Sequence, residues 1–304
     1  MDYKSMQGEH IISSNEYWKL ASKIQSEFYK PINSYKTSVF LCGADINKKD
    51  KIRYQVSRAL STEWNSYLYD LIFPEDIFDE LLYNSKGKDL LSLENLLAES
   101  IDVILLIPES PGSFSELGAF ANDENLRGKL ICLVDQKYKK DKSFINQGPL
   151  KLVKKANKEG IIYINPELIL RHIKDIQSSI RKIKKVSTKK TEKINLLQLD
   201  NFLLPAIYLL EPISKENLVK LVEAVITDTS NSFQITTTAL TIMTKKKFIE
   251  LTHIGYKLTG LGIKHYFSLK KTSSRIKIQD ETTALDDLRL EILNLKLRNK
   301  KLRI

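Results

Sequence analysis

The chain has 304 residues, of which 42% are hydrophobic and 28% charged, which is an ordinary composition for a globular protein. No apolar run approaches the roughly 20 residues of a membrane span, and the N-terminal segment lacks the apolar core of a signal peptide, so we expect a cytoplasmic protein with no membrane partner. The two cysteines, Cys42 and Cys132, lie in apolar runs, which indicates reduced thiols packed in a core.

Charge is divided unevenly between the two halves of the chain. Residues 1–150 carry 18 Lys and Arg against 22 Asp and Glu, a net charge of −4, whereas residues 151–304 carry 30 against 15, a net charge of +15. A strongly basic surface attracts polyanions such as nucleic acids. The four histidines have no metal-ligand spacing, so we expect no metal site and no bound cofactor.

The first half of the chain alternates between strand-like and helix-like segments. An amphipathic helix over residues 14–30 ends at Pro31 and belongs to a predicted N-terminal helical extension, residues 1–35. Apolar runs predict strands at 38–42, 68–73, 101–107, 129–134 and 161–164, with helices at 50–63, 75–83, 91–100 and 113–122. This alternation predicts an α/β domain over residues 36–170, with a parallel sheet of the Rossmann-like or flavodoxin-like type.

The second half of the chain reads as mostly helical. We predict a basic helical connector at 171–198, a module resembling a winged helix at 199–275 and an amphipathic assembly helix at 276–304. Within the module, helices at 199–210, 215–226 and 236–246 precede a hairpin that turns at Gly255, and Ser214 and Thr259 are predicted helix caps. The Lys and Arg side chains of the connector form either a solvated helix face or a face that binds phosphate groups. The candidate nucleic-acid contacts are Arg181, Lys182, Lys184, Lys185, Lys189, Lys190, Lys245, Lys246 and Lys247.

The segment from Ile101 to Phe120, IDVILLIPESPGSFSELGAF, carries the clearest chemical signal. It predicts a buried strand, a Pro/Gly loop and a helix with Ser113 as N-cap. Because ligands bind beyond the carboxyl ends of parallel strands, Glu116 is the first candidate for a catalytic residue. A first-turn position would lower the pKa of its carboxyl, and an ionised carboxylate suits a nucleophile or a stabiliser of an oxocarbenium-like centre. The alternative is that Glu116 only closes a capping box with Ser113.

Other polar residues and glycines follow the ends of neighbouring predicted strands. If the sheet is parallel, these residues converge on one rim and could hold ribose hydroxyls, phosphate or water. Gly118, inside the predicted helix, costs about 1 kcal/mol relative to Ala, which the close approach of a ligand or of neighbouring backbone would explain. The candidate substrate-binding residues are Gly43, Asp45, Glu75, Asp76, Glu109, Ser110, Gly112 and Ser113.

On these residues, the first domain resembles the nucleoside 2-deoxyribosyltransferase-like superfamily. The resemblance lies in residues 112–118, GSFSELG, against the pattern G-[ST]-x-x-E-L-G, and in residues 145–148, INQG. It implies that Glu116 attacks C1′ of a nucleoside and that Asn146 completes a neighbouring subunit's site. The chain departs from the pattern at Ser110, where some members have Asp, and Glu109 is adjacent to it.

A closer resemblance is to the effector proteins of type II retrons. It is carried by FLCGAD, FPEDIFDELL, LLSLENLLAES, IPESPGSFSELGAF, ENLRGKLICL and KSFINQGP, in segments between residues 40 and 149. It implies the toxin of an anti-phage system, held by a reverse transcriptase and by multicopy single-stranded DNA (msDNA) joined to its RNA. The implied chemistry is N-glycosidic cleavage with NAD+ as the leading substrate. We also expect a homo-oligomer or a larger assembly.

Two other functions stay open at the level of sequence. In the first, the chain is a non-enzymatic regulator that senses a nucleotide, uses Glu116 only as a cap and binds duplex DNA through the winged helix. In the second, the enzyme acts on deoxynucleosides or nucleotides, by transfer or by hydrolysis.

Overall fold

The computed structural model describes residues 14–75, 100–187, 196–226, 229, 232–274, 287–292 and 294. The chain forms two compact units: an α/β unit, Ser34–Leu197, and a helical unit, Met1–Asn33 with Gln198–Ile304. Several sequence predictions fall outside the described residues: Asp76, Lys189, Lys190, the helices at 75–83 and 91–100, and most of the segment 276–304.

A five-stranded parallel sheet forms the centre of the α/β unit, which confirms the predicted fold class. The strands are β1 Thr37–Cys42, β2 Tyr69–Ile72, β3 Val103–Leu106, β4 Leu130–Asp135 and β5 Ile161–Ile164, in the spatial order β2-β1-β3-β4-β5. Because the chain leaves β1 toward β2 but returns to β3 on the other side, the carboxyl ends of β1 and β3 flank a topological switch point. That position is the usual ligand crevice of an open α/β sheet.

Helices cover both faces of this sheet, which is why its central strands read as unbroken apolar runs. The α/β unit's helices are α3 Ile52–Leu60, α4 Pro111–Asn122, α5 Glu124–Arg127, α6 Phe144–Gln147, α7 Pro149–Ala156 and α8 Ile173–Ser187. Helices α4 and α7 pack in the core that contains Phe40 and Cys42 of β1. Helices α3 and α8 pack in the opposite core, with Val39 and Leu41 of the same strand.

The basic helix α8 is part of this layered structure. Ile176, Ile180 and Ile183 lie at helical spacing and are buried against the sheet, so one face of the helix belongs to the core of the α/β unit. Its exposed side carries Arg181, Lys182 and Lys185.

The helical unit has the element order typical of a winged helix. Helices α9 Asp200–Leu210, α10 Lys215–Glu223 and α11 Ser232–Lys245 precede the hairpin β6 Ile249–Thr252 and β7 Gly255–Leu258, and α12 Gly260–Ser274 follows. At its N-terminal end the unit has α1 Ser14–Ile24, a π-helical turn Gln25–Tyr29 and α2 Lys30–Tyr35. An isolated bridge between Ile213 and Tyr256 adds a third extended segment to the hairpin.

The predicted caps and turns of this module are confirmed. Ser214 Oγ accepts the backbone N–H of Asn217 at 3.3 Å, and Thr259 Oγ1 accepts that of Gly262 at 3.0 Å. The hairpin turns at Gly255, whose φ of 137° is a conformation that favours glycine. In the described residues, no helix is long and apolar enough to cross a membrane.

Candidate active site

Helix α4 begins one turn earlier than the sequence indicates. Its first residue is Pro111 and its N-cap is Ser110, because proline at N1 has no N–H to satisfy and a φ already suited to a helix. Ser110 Oγ accepts the N–H of Ser113 at 3.3 Å, and Ser113 Oγ accepts that of Ser110 at 2.9 Å. The prediction of Ser113 as N-cap, and of a Ser113–Glu116 capping box, is therefore wrong. Glu116 takes no part in the cap.

The Glu116 carboxyl is mostly buried at the carboxyl end of the sheet, close to Cys42 of β1. Its Oε2 has no hydrogen-bond partner among the described residues. Burial raises the pKa of Glu116 to about 7, although the Arg53 charge and the Cys42 thiol oppose the rise. The expectation of a lowered pKa is wrong, because Glu116 lies in the second turn of α4, where burial outweighs the helix dipole.

The Cys42 thiol lies beside this carboxyl without the properties of a nucleophile. It is fully buried, and burial together with the neighbouring Glu116 raises its pKa well above the ordinary range. Cys42 therefore stays a protonated thiol, which can donate a weak hydrogen bond to an ionised Glu116.

Arg53, from α3, organises the same edge of the sheet. It is only 1% exposed, and its guanidinium donates to Leu41 O at 3.1 Å and to Ala44 O at 2.8 Å. Its two terminal nitrogens also pair with both carboxylate oxygens of Glu75, at 2.5 and 2.7 Å. A guanidinium so deeply buried requires this full set of acceptors, since an unpaired buried charge costs several kcal/mol, to order of magnitude.

Glu75 follows β2 on the same edge, and its side chain is half exposed. Partial burial raises the pKa of Glu75, but the hydrogen bonds and charge of Arg53 outweigh this and lower it. Asp45 is close enough to oppose the lowering slightly. The edge therefore holds two carboxyls of opposite character: Glu75 is ionised at neutral pH, and Glu116 is near its midpoint.

The Glu109 carboxylate accepts hydrogen bonds from backbone N–H groups. It accepts the N–H groups of Ile52 at 3.1 Å, Arg53 at 3.0 Å and Ala44 at 3.5 Å, so it fills the N-terminal end of α3. The Ala44 N–H, next to the candidate Gly43, is thus already bound to a carboxylate. Glu109 thus fixes α3, and with it Arg53, against the loop that follows β3.

The glycines and Asp45 have different surroundings. A Cβ at Gly43 would lie 3.0 Å from two side-chain carbons of Arg53, so the missing side chain makes room for the arginine. A Cβ at Gly112 or Gly118 would meet no described atom within 4 Å. Neighbouring backbone in the described part of the chain therefore does not explain Gly118. Asp45 closes a local turn by accepting from the Asn47 backbone at 2.9 Å.

Asn146 holds a loop at the same rim. Its side-chain nitrogen donates to Tyr138 O and Asp141 O, both at 2.7 Å, and so fixes the segment between β4 and α6. The predicted role of this residue in a neighbouring subunit's site stays a prediction.

The comparisons with known proteins identify the family. The model of a family described as the STM3845 retron effector protein matches residues 49–251. An Escherichia coli protein named as the candidate ribosyltransferase/DNA-binding protein of retron Ec86 is 37% identical over 288 residues, covering 90% of this chain and 89% of that protein. The corresponding protein of retron Ec73, from the same organism, is 33% identical over 145 residues, covering 46% and 45%.

The chain belongs to the retron effector family.

In this retron effector, the predicted nucleic-acid contacts fall in both units. Lys182 pairs with Glu159 at 3.0 Å, while Lys184 is largely covered and donates to Lys36 O at 2.5 Å. The contacts that Lys184 makes therefore lie within the α/β unit. At the end of α11 in the helical unit, Lys245, Lys246 and Lys247 are all exposed.

Arg53 of the effector was not predicted as a site residue from the sequence. A signal was available, because Arg53 occupies the position that begins the buried stripe of α3, followed by Val56, Ser57 and Leu60. A charged residue on the apolar stripe of an amphipathic helix calls for a buried partner. The partner, Glu75, lies on a different element, and only the tertiary structure identifies it. Within the described ranges, no cluster of His, Cys, Asp and Glu could hold a metal ion.

Proposed function

We propose that this retron effector is an N-glycosidase that cleaves the bond between C1′ of a ribose and its base, with Glu116 as the catalytic carboxyl and NAD+ as the leading substrate. The observation that carries the proposal is the Glu116 carboxyl: mostly buried at the topological switch point, free of the helix cap, with one oxygen lacking a hydrogen-bond partner in the described residues. A carboxyl in that state is available to a ligand, and a crevice at the switch point is where a ligand binds.

The proposed cleavage involves Glu116, the substrate and an acceptor for the ribosyl group. An oxygen of ionised Glu116 approaches C1′, the glycosidic C–N bond breaks, and its electron pair moves to the base. In NAD+ the glycosidic nitrogen is formally positive, so nicotinamide leaves as a neutral molecule without receiving a proton. Water, or another acceptor, then takes the ribosyl group. Glu116 acts either as nucleophile or as stabiliser of the oxocarbenium-like centre.

The charge at the site favours a substrate whose base is positively charged. Glu75 is ionised and half exposed, Glu116 is partly ionised at neutral pH, and the Arg53 charge is matched by Glu75. Negative charge facing the crevice stabilises positive charge that is present on nicotinamide before cleavage and on the sugar during it. The positive nicotinamide ring therefore favours NAD+ over nucleosides with neutral bases.

We further propose that a reverse transcriptase and msDNA hold the effector inactive. The winged-helix order of the helical unit and the exposed lysines at the end of α11 support contact with nucleic acid, and the names of both relatives include DNA binding. Those names also include ribosyltransferase, which agrees with chemistry at the anomeric carbon.

The test is to incubate the purified full chain with NAD+ and, separately, with a panel of nucleosides, and to measure released base by chromatography. We expect wild type to release nicotinamide and Glu116→Gln to lose at least about a thousandfold in rate, equivalent to about 4 kcal/mol of barrier. Glu124→Gln, an exposed carboxylate just beyond α4, is the matched control and should keep the wild-type rate. Normal release by Glu116→Gln would contradict the assignment.

The same experiment separates this function from a non-enzymatic regulator. That alternative assigns Glu116 to the helix cap, whereas the cap is formed by Ser110 and Ser113. Tight, sequence-specific binding of duplex DNA with no release of any base would favour the regulator.

A further inference from the structure

The buried Arg53 connects helix α3 to the carboxyl end of the sheet. Its side chain runs from the apolar stripe of α3 to the carboxyl end of β1, where Gly43 leaves room for it. It donates to Leu41 O in β1 and to Ala44 O just beyond that strand, and it also reaches Glu75 beyond β2. The guanidinium therefore fixes one carboxylate relative to the rim of the sheet.

The fixed carboxylate is oriented for a ligand. Arg53 occupies one lone-pair position on each oxygen of Glu75, and the side chain is still 50% exposed. A carboxylate oxygen can accept more than one hydrogen bond, so each keeps capacity toward the crevice. Because an ionised carboxylate only accepts hydrogen bonds and repels phosphate, the group that fits it is a donor, either a hydroxyl or an N–H.

Glu75 lies where it would contact the sugar of a bound substrate rather than the base. Glu75 follows β2 and Glu116 lies after β3, on the two neighbours of β1, and the Glu75 charge is close enough to raise the pKa of Glu116. With C1′ of a sugar at Glu116, the adjacent ring hydroxyls are the nearest donors. An acidic side chain after the second strand of a nucleotide-binding sheet commonly accepts from ribose hydroxyls.

We propose that Glu75 is the acceptor for the 2′-hydroxyl of the substrate, that Arg53 is the positioning residue that holds it there, and that this pair selects ribosyl over 2-deoxyribosyl substrates. The inference rests on the proposed cleavage at C1′ and adds the substrate class. An acceptor that a buried arginine holds in place for a hydroxyl disfavours the analogue that lacks that hydroxyl.

The experiment compares matched substrates on the full chain. The probes are NAD+ and its analogue without the 2′-hydroxyl on the nicotinamide ribose, with adenosine and 2′-deoxyadenosine in parallel. We expect wild type to prefer the ribosyl member by about tenfold to a hundredfold in kcat/KM, and Glu75→Gln to lose most of that preference. Arg53→Lys should lose part of it, because a lysine keeps the charge but cannot hold both carboxylate oxygens.

The ratio of two kcat/KM values on one preparation does not depend on how much of that preparation is folded. A loss of structure in Arg53→Lys therefore does not mimic the expected result. Glu63→Gln, an exposed carboxylate beyond α3, is the control and should keep the wild-type ratio. If wild type releases no base from any probe, the proposed function fails. If it releases base but prefers the deoxy analogue, or if Glu75→Gln keeps the ratio, only the role of Glu75 and Arg53 is overturned.

Discussion

At the scale of single residues, the site depends on a carboxyl whose ionisation its neighbours control. Burial raises the pKa of Glu116, and the groups facing it are the Cys42 thiol, the Arg53 guanidinium and the Glu75 carboxylate. Only the arginine and the thiol favour the ionised form. Since the proposed step uses ionised Glu116, the fraction of active enzyme should follow this one titration.

This gives a pH prediction for activity. Below the Glu116 pKa of about 7, kcat/KM for NAD+ should rise about tenfold per pH unit, and above it the rate should level off. The measurement is nicotinamide release across pH 5 to 9, with circular dichroism at each pH to confirm folding. A rate that instead falls as pH rises through 7 would mean that the protonated carboxyl is the active form.

The raised pKa of Glu116 also predicts that the folded state becomes less stable as pH rises, although activity rises over the same range. A folded-state pKa above the unfolded value means that the folded protein binds the extra proton, so stability falls as pH rises from about 4.5 to 7. Glu116→Gln removes this loss and should be more stable than wild type at pH 8, by about 1 to 3 kcal/mol. At pH 4.5 the difference should nearly vanish. Urea unfolding at both pH values checks this, and equal stability at pH 8 would contradict the buried carboxyl.

At the scale of elements, two glycines at the start of α12 provide a paired test of the winged-helix packing. A Cβ at Gly262 would overlap the backbone oxygen of Phe248, which precedes the hairpin, whereas a Cβ at Gly260 meets no described atom within 4 Å. We expect Gly262→Ala to destabilise the protein by about 2 kcal/mol or more and Gly260→Ala to change stability little. Thermal unfolding of the two variants tests this expectation, and equal melting temperatures would contradict the close contact between Gly262 and the Phe248 backbone.

At the N-terminal end of α4, the cap is formed by Ser110 and Ser113 and not by the proposed catalytic residue Glu116. Ser110 should contribute about 1 kcal/mol as N-cap, so Ser110→Ala should lower stability by that amount. Urea unfolding of the variant and of wild type measures this difference, and equal stability would contradict the cap.

At the scale of the whole molecule, the uneven charge predicts salt-dependent binding of nucleic acid. Affinity for a single-stranded DNA should fall steeply as salt rises, because binding releases counterions. Replacing Lys245, Lys246 and Lys247 together by Gln should reduce the slope of log Kd against log salt by about 2. The matched control replaces three exposed lysines of α7, Lys151, Lys154 and Lys155, and should leave the slope nearly unchanged. Equal slopes for the two variants would show that the end of α11 is not a contact.

The sequence by itself determined the layers of the fold. Apolar runs of strand length alternate with helices in the first half, so the parallel sheet and its rim follow from local patterns. The caps Ser214 and Thr259 were also predictable, since a cap is an interaction within a few residues. The position of Glu116 at the carboxyl end of the sheet was also predictable, because its strand, loop and helix are contiguous.

Tertiary structure alone decided the electrostatics of the site. The Arg53–Glu75 pair joins residues 22 positions apart on different elements, and Glu109 contacts α3 from 57 positions away. Burial of Glu116 beside Cys42 reversed the expected direction of its pKa shift. These properties depend on which side chains meet and how much water they exclude, and periodicity along one chain contains neither quantity.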